Sequence, residues 1–127
     1  MTWMPRRWMA AMSSMRQGAP EMNEAVAIGA LQMIAGGEET YKSSAGNGTY
    51  GSIDELVEKK LLTKDMLEKY GYRFDLRTSG NGFEAVAMPL EYGKTGKRSF
   101  FVDQTGVVRG DDHGGGAATS ADKPVNQ

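Results

Sequence analysis

The side chains best suited to binding a metal ion or moving a proton lie together near the C-terminus. The chain has one histidine, His113, which directly follows Asp111 and Asp112. Imidazole and carboxylate groups are good ligands for divalent ions. These three residues, however, lie among glycines, where the sequence offers no packed neighbours to hold their side chains in position. The pattern therefore predicts a solvated turn, and we expect no metal site.

A second set of candidate chemical groups is formed by the carboxylates of Asp54, Glu55 and Glu58. Their spacing is typical of the solvent-exposed face of a short amphipathic helix, which is a simpler interpretation than acid–base catalysis. Only histidine has an unperturbed pKa near neutrality, and one histidine leaves little such chemistry. The absence of cysteine excludes disulfides, thiol nucleophiles and thiolate metal sites. We therefore expect no catalytic residues and no enzymatic activity.

A third pattern, Gly46-x-Gly48-x-x-Gly51, matches the dinucleotide-binding fingerprint by its letters. That fingerprint works where it joins a strand to a helix, because the phosphates then meet backbone N–H groups at the start of the helix. Here it follows a predicted helix, and no parallel βαβ pattern surrounds it. We expect the glycines to form a compact turn and no cofactor to bind.

The length and charge of the chain restrict its class of partner. With 127 residues it fits one domain. Its 15 Lys and Arg are balanced by 16 Asp and Glu, so it lacks the basic surplus that nucleic-acid binding requires. The longest mostly apolar stretch, Ala25 to Ala35, is shorter than the roughly 20 residues of a membrane-spanning helix. We expect membrane contact only by surface attachment or through a partner.

Residues 1–19 form a leader rich in methionine and tryptophan. Four of its apolar residues recur at spacings of four, four and three, which would place them on one face of a helix. These residues are Met4, Trp8, Met12 and Met15. Two interpretations remain open: an unstructured leader, or a short amphipathic helix that docks on a partner or a membrane surface.

The strongest predicted helix runs from Pro20 to Tyr41. Proline suits the first helical position, and the adjacent glycines at 36 and 37 weaken the end of the helix. Between Ala25 and Ala35 nearly every residue is apolar or small. One stripe of the helix consists of Ala27, Leu31 and Ile34, and another of Val26, Ala30 and Met33. Either the domain covers the whole helix, or the first stripe packs on the sheet while the second contacts a neighbouring chain.

The remainder of the chain predicts short helices followed by strands. Ser52 and Glu55 form a capping box for one short helix. From Tyr72 the apolar period changes from about 3.6 to 2, and glycine turns separate the strands of an antiparallel meander, the last of which is Val107 to Arg109. We expect the core to include Leu31, Ile34, Phe74, Leu76, Phe83, Phe100 and Val102. Residues 110–127 have no apolar period and predict a disordered tail.

Together these elements predict an α+β fold, in which a long N-terminal helix packs on an antiparallel sheet of three to four strands. Short helices lie in the connecting region. The expected domains are the leader over residues 1–19, the α+β domain over residues 20–109 and the tail over residues 110–127.

The order of elements and several short motifs resemble type IV pilins and the related pseudopilins of type II secretion. The similarity covers about residues 22–109. It is carried by Asn23 to Leu31, by Gly46-Asn47-Gly48-Thr49-Tyr50-Gly51-Ser52, by Tyr92-Gly93-x-x-Gly96-x-Arg98-Ser99-Phe100, and by Asp103-x-Thr105-Gly106-Val107-Val108-Arg109. Family members begin with a basic leader and a Phe-led apolar helix, whereas residues 1–19 have neither feature.

The resemblance implies a non-enzymatic structural subunit that contacts other protein subunits, in a homo-oligomeric filament or an envelope complex, through its first helix. The expected contact residues are Met22, Val26, Ala30 and Met33, with Met4, Trp8, Met12 and Met15 as an extension. The alternative is an accessory subunit of a membrane-bound complex, attached through the Trp- and Met-rich leader. By resemblance the location is the cell envelope or surface; if Met1 is the true start and no export signal exists, it is the cytoplasm.

Overall fold

The computed structural model describes residues 19–79 and 81–125. The leader expected over residues 1–19 therefore lies almost wholly outside the described residues. The same is true of the predicted contact residues Met4, Trp8, Met12 and Met15.

The described part begins with a helix of 24 residues, α1 (Pro20–Ser43). Pro20 occupies the first turn, as predicted, because its fixed φ suits a helix and its missing N–H would have no partner there. Two short helices, α2 (Ile53–Glu58) and α3 (Lys64–Glu68), connect α1 to the sheet. The predicted capping box of α2 is confirmed: Glu55 N–H donates to Ser52 Oγ (3.2 Å), and Ser52 N–H donates to Glu55 Oε1 (2.9 Å).

The glycines at 36 and 37 do not end α1, which continues to Ser43. Gly37 is buried, and a Cβ atom at this position would lie 3.3 Å from Leu61 Cβ. Glycine here lets the segment that follows α2 approach the helix closely. The helical weakness expected from the sequence is therefore offset by tertiary packing.

The remaining elements are four strands: β1 (Tyr72–Ser79), β2 (Gly82–Pro89), β3 (Arg98–Asp103) and β4 (Arg109–Asp112). They form one antiparallel sheet in the order β1-β2-β3-β4. Phe74 lies opposite Ala87, and Phe101 lies opposite both Val86 on one side and Arg109 on the other. The fold is thus α+β, with a long N-terminal helix and a four-stranded antiparallel sheet. The fourth strand starts at Arg109, two residues later than predicted.

The core lies between α1 and one face of the sheet, where the helix packs mainly on β3 and β2. Most of the predicted core is confirmed as buried: Leu31, Ile34, Phe83, Phe100 and Val102. Phe74 and Leu76 are only partly buried, although they pack against the same cluster. The reason is their position on β1, which is the first strand of the sheet and has a neighbour on one side only.

The prediction of disorder from residue 110 onward is wrong for the described residues. The chain turns after β4 and returns beside it, where Gly110 N–H donates to Lys123 O (3.0 Å) and Val125 N–H donates to Val108 O (2.9 Å). Ala118 is buried against the sheet, and Ser99 Oγ donates to Gly116 O (2.5 Å). Small side chains and backbone hydrogen bonds hold this segment, which is why it lacks an apolar period.

Candidate functional site

An apolar stripe runs along the side of α1 that faces away from the core. Met22, Val26, Gly29 and Met33 follow one another at spacings of four, three and four, which places them on one side of a helix. Met22 is 40% exposed and Met33 is 38% exposed. Val26 and Gly29 are half-buried between them. We call these four residues the α1 stripe.

The α1 stripe continues onto α3 through Met66. If Gly29 carried a Cβ atom, that atom would lie 3.8 Å from Met66 Cε. The end of the Met66 side chain therefore packs over the position where Gly29 has no side chain. Methionine is flexible and polarisable, which suits a surface that must adapt to an apolar partner. The stripe and Met66 can therefore bury apolar area against another protein.

One predicted contact residue, Ala30, is placed wrongly by the sequence analysis. Ala30 is fully buried within the chain, together with Ala27 and Leu31, so it cannot reach a neighbour. The eight residues from Met22 to Ala30 rotate the helix by about 80° beyond two full turns. This rotation places Ala30 on the core side of α1. Gly29 occupies the position on the stripe. The structure keeps Met22, Val26 and Met33 on one side of α1, and their role in contact stays a prediction.

The start of α1 is fixed to the loop before β3 by Glu24. Its Oε2 atom accepts hydrogen bonds from the N–H groups of Lys97 and Arg98 (3.1 Å each), and Oε1 accepts from Arg98 Nε (3.1 Å). The buried Asn23 side chain donates to Thr95 O (3.0 Å) nearby. These contacts hold the first turns of α1, and with them Met22 and Val26, in a fixed orientation. No local pattern in the sequence indicates these contacts, because the partners lie about seventy residues apart.

Near the other end of α1 a carboxyl group is buried. Glu38 is fully buried; its Oε1 atom accepts from Gly51 N–H (2.7 Å), and its Oε2 atom has no hydrogen-bond partner in the structure. The pKa of Glu38 is raised to about 7, mainly by burial; the Gly51 N–H opposes this rise, and the charges of Glu55 and Glu39 contribute to it. Glu38 was not among the residues predicted from the sequence to be functional or buried. Its helical spacing from Leu31 and Ile34 was the available signal.

The loop that carries the dinucleotide-like glycines wraps the ring of Tyr41. A Cβ atom on Gly46 would lie 2.7 Å from the ring, and one on Gly51 would lie 2.9 Å from it. The Tyr41 hydroxyl donates to Glu55 Oε2 (2.9 Å). Gly46 and Gly51 are thus needed for close packing on the ring. As predicted, the loop follows a helix, α1, rather than a strand.

The carboxylates and the histidine near the C-terminus are tied to other parts of the chain. Asp112 Oδ1 accepts hydrogen bonds from Gly114 N–H (3.0 Å) and from the Tyr92 hydroxyl (2.8 Å). Both bonds lower the pKa of Asp112, and the bond from Gly114 has the larger effect. His113 Nε2 lies 2.7 Å from Asp122 Oδ2. Over residues 19–79 and 81–125, no group of three or more His, Asp or Glu side chains is placed to hold a metal ion.

Residues 27–125 match a protein family described as "Protein of unknown function (DUF2950)". The match covers most of α1, all four strands and the returning C-terminal segment, so the chain belongs to this family. No curated protein and no solved structure matches the chain. Among the helices that the structure describes, none is long and apolar enough to cross a bilayer.

Proposed function

We propose that the protein is a non-enzymatic structural subunit, similar to type IV pilins and pseudopilins, that contacts neighbouring protein subunits through the α1 stripe. The neighbours are further copies of the chain or other proteins of an envelope assembly. Residues Met4, Trp8, Met12 and Met15 would extend the same contact toward the N-terminus.

The exposure of Met22 and Met33 is the observation that carries this proposal. Each leaves more than a third of its surface in solvent, and they flank the half-buried Val26 and Gly29 on one side of α1. The core side of the same helix is already occupied by the sheet. An apolar stripe of this kind on the side of a helix that faces away from the core favours contact with another protein.

The order of elements supports the pilin-like part of the proposal. A long first helix on an antiparallel meander, with short helices between them, is the layout that the resemblance implies. The quoted motifs lie at junctions between elements: residues 46–52 lie between α1 and α2, residues 92–100 lead into β3, and residues 103–109 join β3 to β4.

The proposal is tested by placing a charge on the stripe. Val26→Asp and Met33→Glu should each remove the association made through the stripe, so that the protein sediments as a smaller species in sedimentation-velocity experiments, because a buried carboxylate without a partner is costly. Gln32→Asp is the matched control, since Gln32 is exposed on another side of the same helix. Circular dichroism must show that all three variants are folded. If both stripe variants sediment as the wild type does, the α1 stripe is not a contact surface.

The accessory-subunit alternative is tested by deleting residues 1–18. A protein attached only through its Trp- and Met-rich leader loses membrane association on deletion. A subunit that associates through the α1 stripe still self-associates after the deletion. In the shortened protein, Val26→Asp still weakens this association.

A further inference from the structure

The sheet has two edges, and the chain covers one of them. At β4 the returning C-terminal segment lies beside the strand, held by hydrogen bonds at Gly110 and Val125. At the opposite edge is β1, and within residues 19–79 and 81–125 no strand pairs with its free side. An uncovered edge strand is a template for pairing with another chain.

The free side of β1 presents a defined set of backbone groups. Leu90 N–H donates to Gly71 O (2.9 Å), and the register of β1 with β2 makes these two residues a hydrogen-bonded pair. Because hydrogen-bonded pairs alternate along an antiparallel ladder, the odd-numbered residues of β1 direct their N–H and C=O groups at β2. The even-numbered residues direct theirs outward. In the part of β1 after its first two residues, these are Phe74, Leu76 and Thr78.

The side chains of β1 carry charges of alternating sign on the face opposite α1. Arg73, Asp75 and Arg77 pair with residues of β2 that share this face, and all three are exposed. The Asp75 and Arg77 side chains lie 3.8 Å apart but remain 52% and 81% exposed, so their contact within one chain leaves both open to another. A row of like charges would repel a second copy of the strand, whereas this alternating row is complementary to itself in an antiparallel arrangement.

We propose that β1 is a self-association edge, at which two copies of the chain pair antiparallel with Leu76 of one opposite Leu76 of the other. In this register Phe74 faces Thr78 of the second copy, so every outward backbone group in these pairs meets a partner. Asp75 then lies opposite Arg77 of the second copy in a non-hydrogen-bonded pair, where side chains are closest. The result is one continuous sheet across a twofold axis.

Exposure along β1 favours this register over one centred on Phe74. The first residues of β1 share a depression with Lys64, Leu67 and Glu68, where α3 packs against the strand. From Asp75 to Ser79 the strand is largely exposed, with Leu76 half-buried on the α1 side. A second strand therefore has open access to the half of β1 that contains Asp75, Leu76 and Arg77.

This edge is separate from the α1 stripe, and the proposal does not depend on the proposed function. The stripe lies on the outer side of a helix, whereas the pairing uses backbone groups of a strand at the sheet boundary. If both surfaces operate, two copies joined at β1 present two stripes for further contacts. If only β1 operates, association stops at a dimer.

A charge exchange tests the ionic part of the pairing by equilibrium sedimentation of the full chain. Arg77→Asp and Asp75→Arg should each weaken dimerisation roughly tenfold or more, because both symmetry-related pairs become like-charged. The double variant Asp75→Arg/Arg77→Asp should return to roughly the wild-type dissociation constant, since the pairs are restored in reverse. It has the net charge of the wild type, and Lys94→Asp in an exposed loop controls for the charge change of Arg77→Asp.

A second pair of variants tests the backbone part. Thr78→Pro removes an outward N–H without removing a hydrogen bond to β2, and it should abolish the dimer. Thr78→Ala is its matched control and should dimerise normally. In hydrogen-exchange measurements the amides of Leu76 and Thr78 should gain protection as protein concentration rises. The same gain should persist in the Val26→Asp variant, in which the α1 stripe is disabled.

The proposal is overturned if these two amides exchange at the same rate at all concentrations, or if the charge-exchanged double variant fails to recover association. A wild-type chain that is monomeric at the highest concentration measured also overturns it. Unchanged association in Val26→Asp, together with concentration-dependent protection at β1, contradicts the function proposed for α1 while leaving the β1 edge supported.

Discussion

Glu38 Oε1 accepts a hydrogen bond from the backbone N–H of Gly51 over 2.7 Å, and both groups are buried. This bond ties the end of α1 to the loop that wraps Tyr41. Within the part of the chain that the structure describes, the second oxygen of the same carboxyl group has no hydrogen-bond partner. Because a buried carboxylate is costly when only one oxygen is satisfied, the protonated form of Glu38 is favoured and its pKa rises to about 7.

The first prediction concerns stability as a function of pH. The folded state binds the Glu38 proton more tightly than the unfolded state, so the stabilisation is fully present below the ordinary pKa of 4.5 and is lost as pH rises to about 7. The loss amounts to about 3 kcal/mol at most. Glu38→Gln removes this dependence and keeps an acceptor for Gly51 N–H. We expect the variant to be more stable than the wild type at pH 8 in urea unfolding.

The control is Glu39→Gln, which removes the charge of the exposed neighbour and should leave the decline in unfolding free energy between pH 5 and 7 largely in place. If the decline is equally steep in Glu38→Gln and in the wild type, Glu38 does not titrate in this range and the interpretation of its burial is wrong.

The second prediction is that alanine substitutions at the adjacent glycines of α1, Gly36 and Gly37, change stability by different amounts. A Cβ atom on Gly36 meets nothing within 4 Å, so Gly36→Ala should raise the free energy of unfolding by about 1 kcal/mol through its better helix propensity. A Cβ atom on Gly37 would lie 3.3 Å from Leu61 Cβ and 3.4 Å from Leu61 O. Gly37→Ala should therefore lose that gain and be less stable than Gly36→Ala by about 1–3 kcal/mol. If thermal unfolding shows that both variants are stabilised equally, Leu61 moves to accommodate the new methyl group at no measurable cost.

Local sequence patterns correctly predicted the elements that are determined by interactions between neighbouring residues. The period of α1, the capping box at Ser52 and Glu55 and the alternation in β1 follow from neighbouring residues, and each is present in the structure. The predicted stripe included Ala30, which is buried, and omitted Gly29. Small residues on both sides of a helix carry too little contrast to show which of them faces the core.

The features that were missed depend on contacts between distant residues. The C-terminal segment is held by backbone bonds to residues near β4 and by burial of the small Ala118, and neither leaves an apolar period. The spacing of Glu38 from Leu31 and Ile34 places it on the core side of α1, but its charge is typical of a helix surface, and its contact with Gly51 is not visible in any local pattern.

The third prediction concerns the closest approach between β4 and β3. A Cβ atom on Gly110 would lie 2.6 Å from Phe100 Cδ1 and 2.6 Å from Ser99 O. Gly110→Ala should thus force β4 and the returning segment away from the sheet, at a cost of about 1–3 kcal/mol in unfolding free energy. Protease cleavage within residues 113–123 should become faster.

Gly116→Ala is the control for this change, because the nearest atom to its Cβ would be His113 O at 3.4 Å, an ordinary contact. Cleavage of Gly110→Ala and Gly116→Ala at the same rate would contradict the view that the Gly110 contact holds the C-terminal segment in place.

The fourth prediction concerns the anchor at the start of α1. Glu24→Ala removes the acceptor for Lys97 N–H, Arg98 N–H and the Arg98 guanidinium, and should lower the unfolding free energy by about 1–3 kcal/mol. Glu21→Ala is the matched control, because Glu21 is an exposed acidic residue in the first turn of the same helix. It should cost less than about 1 kcal/mol.

Hydrogen exchange gives this last prediction a local readout. Without the Glu24 contacts, the amides of Lys97 and Arg98 should exchange faster than those in the centre of β3, and the first turn of α1 should lose protection with them. A uniform change across the whole sheet would instead mean that Glu24 acts on global stability alone. In that case the orientation of Met22 and Val26 would rest on core packing rather than on this anchor.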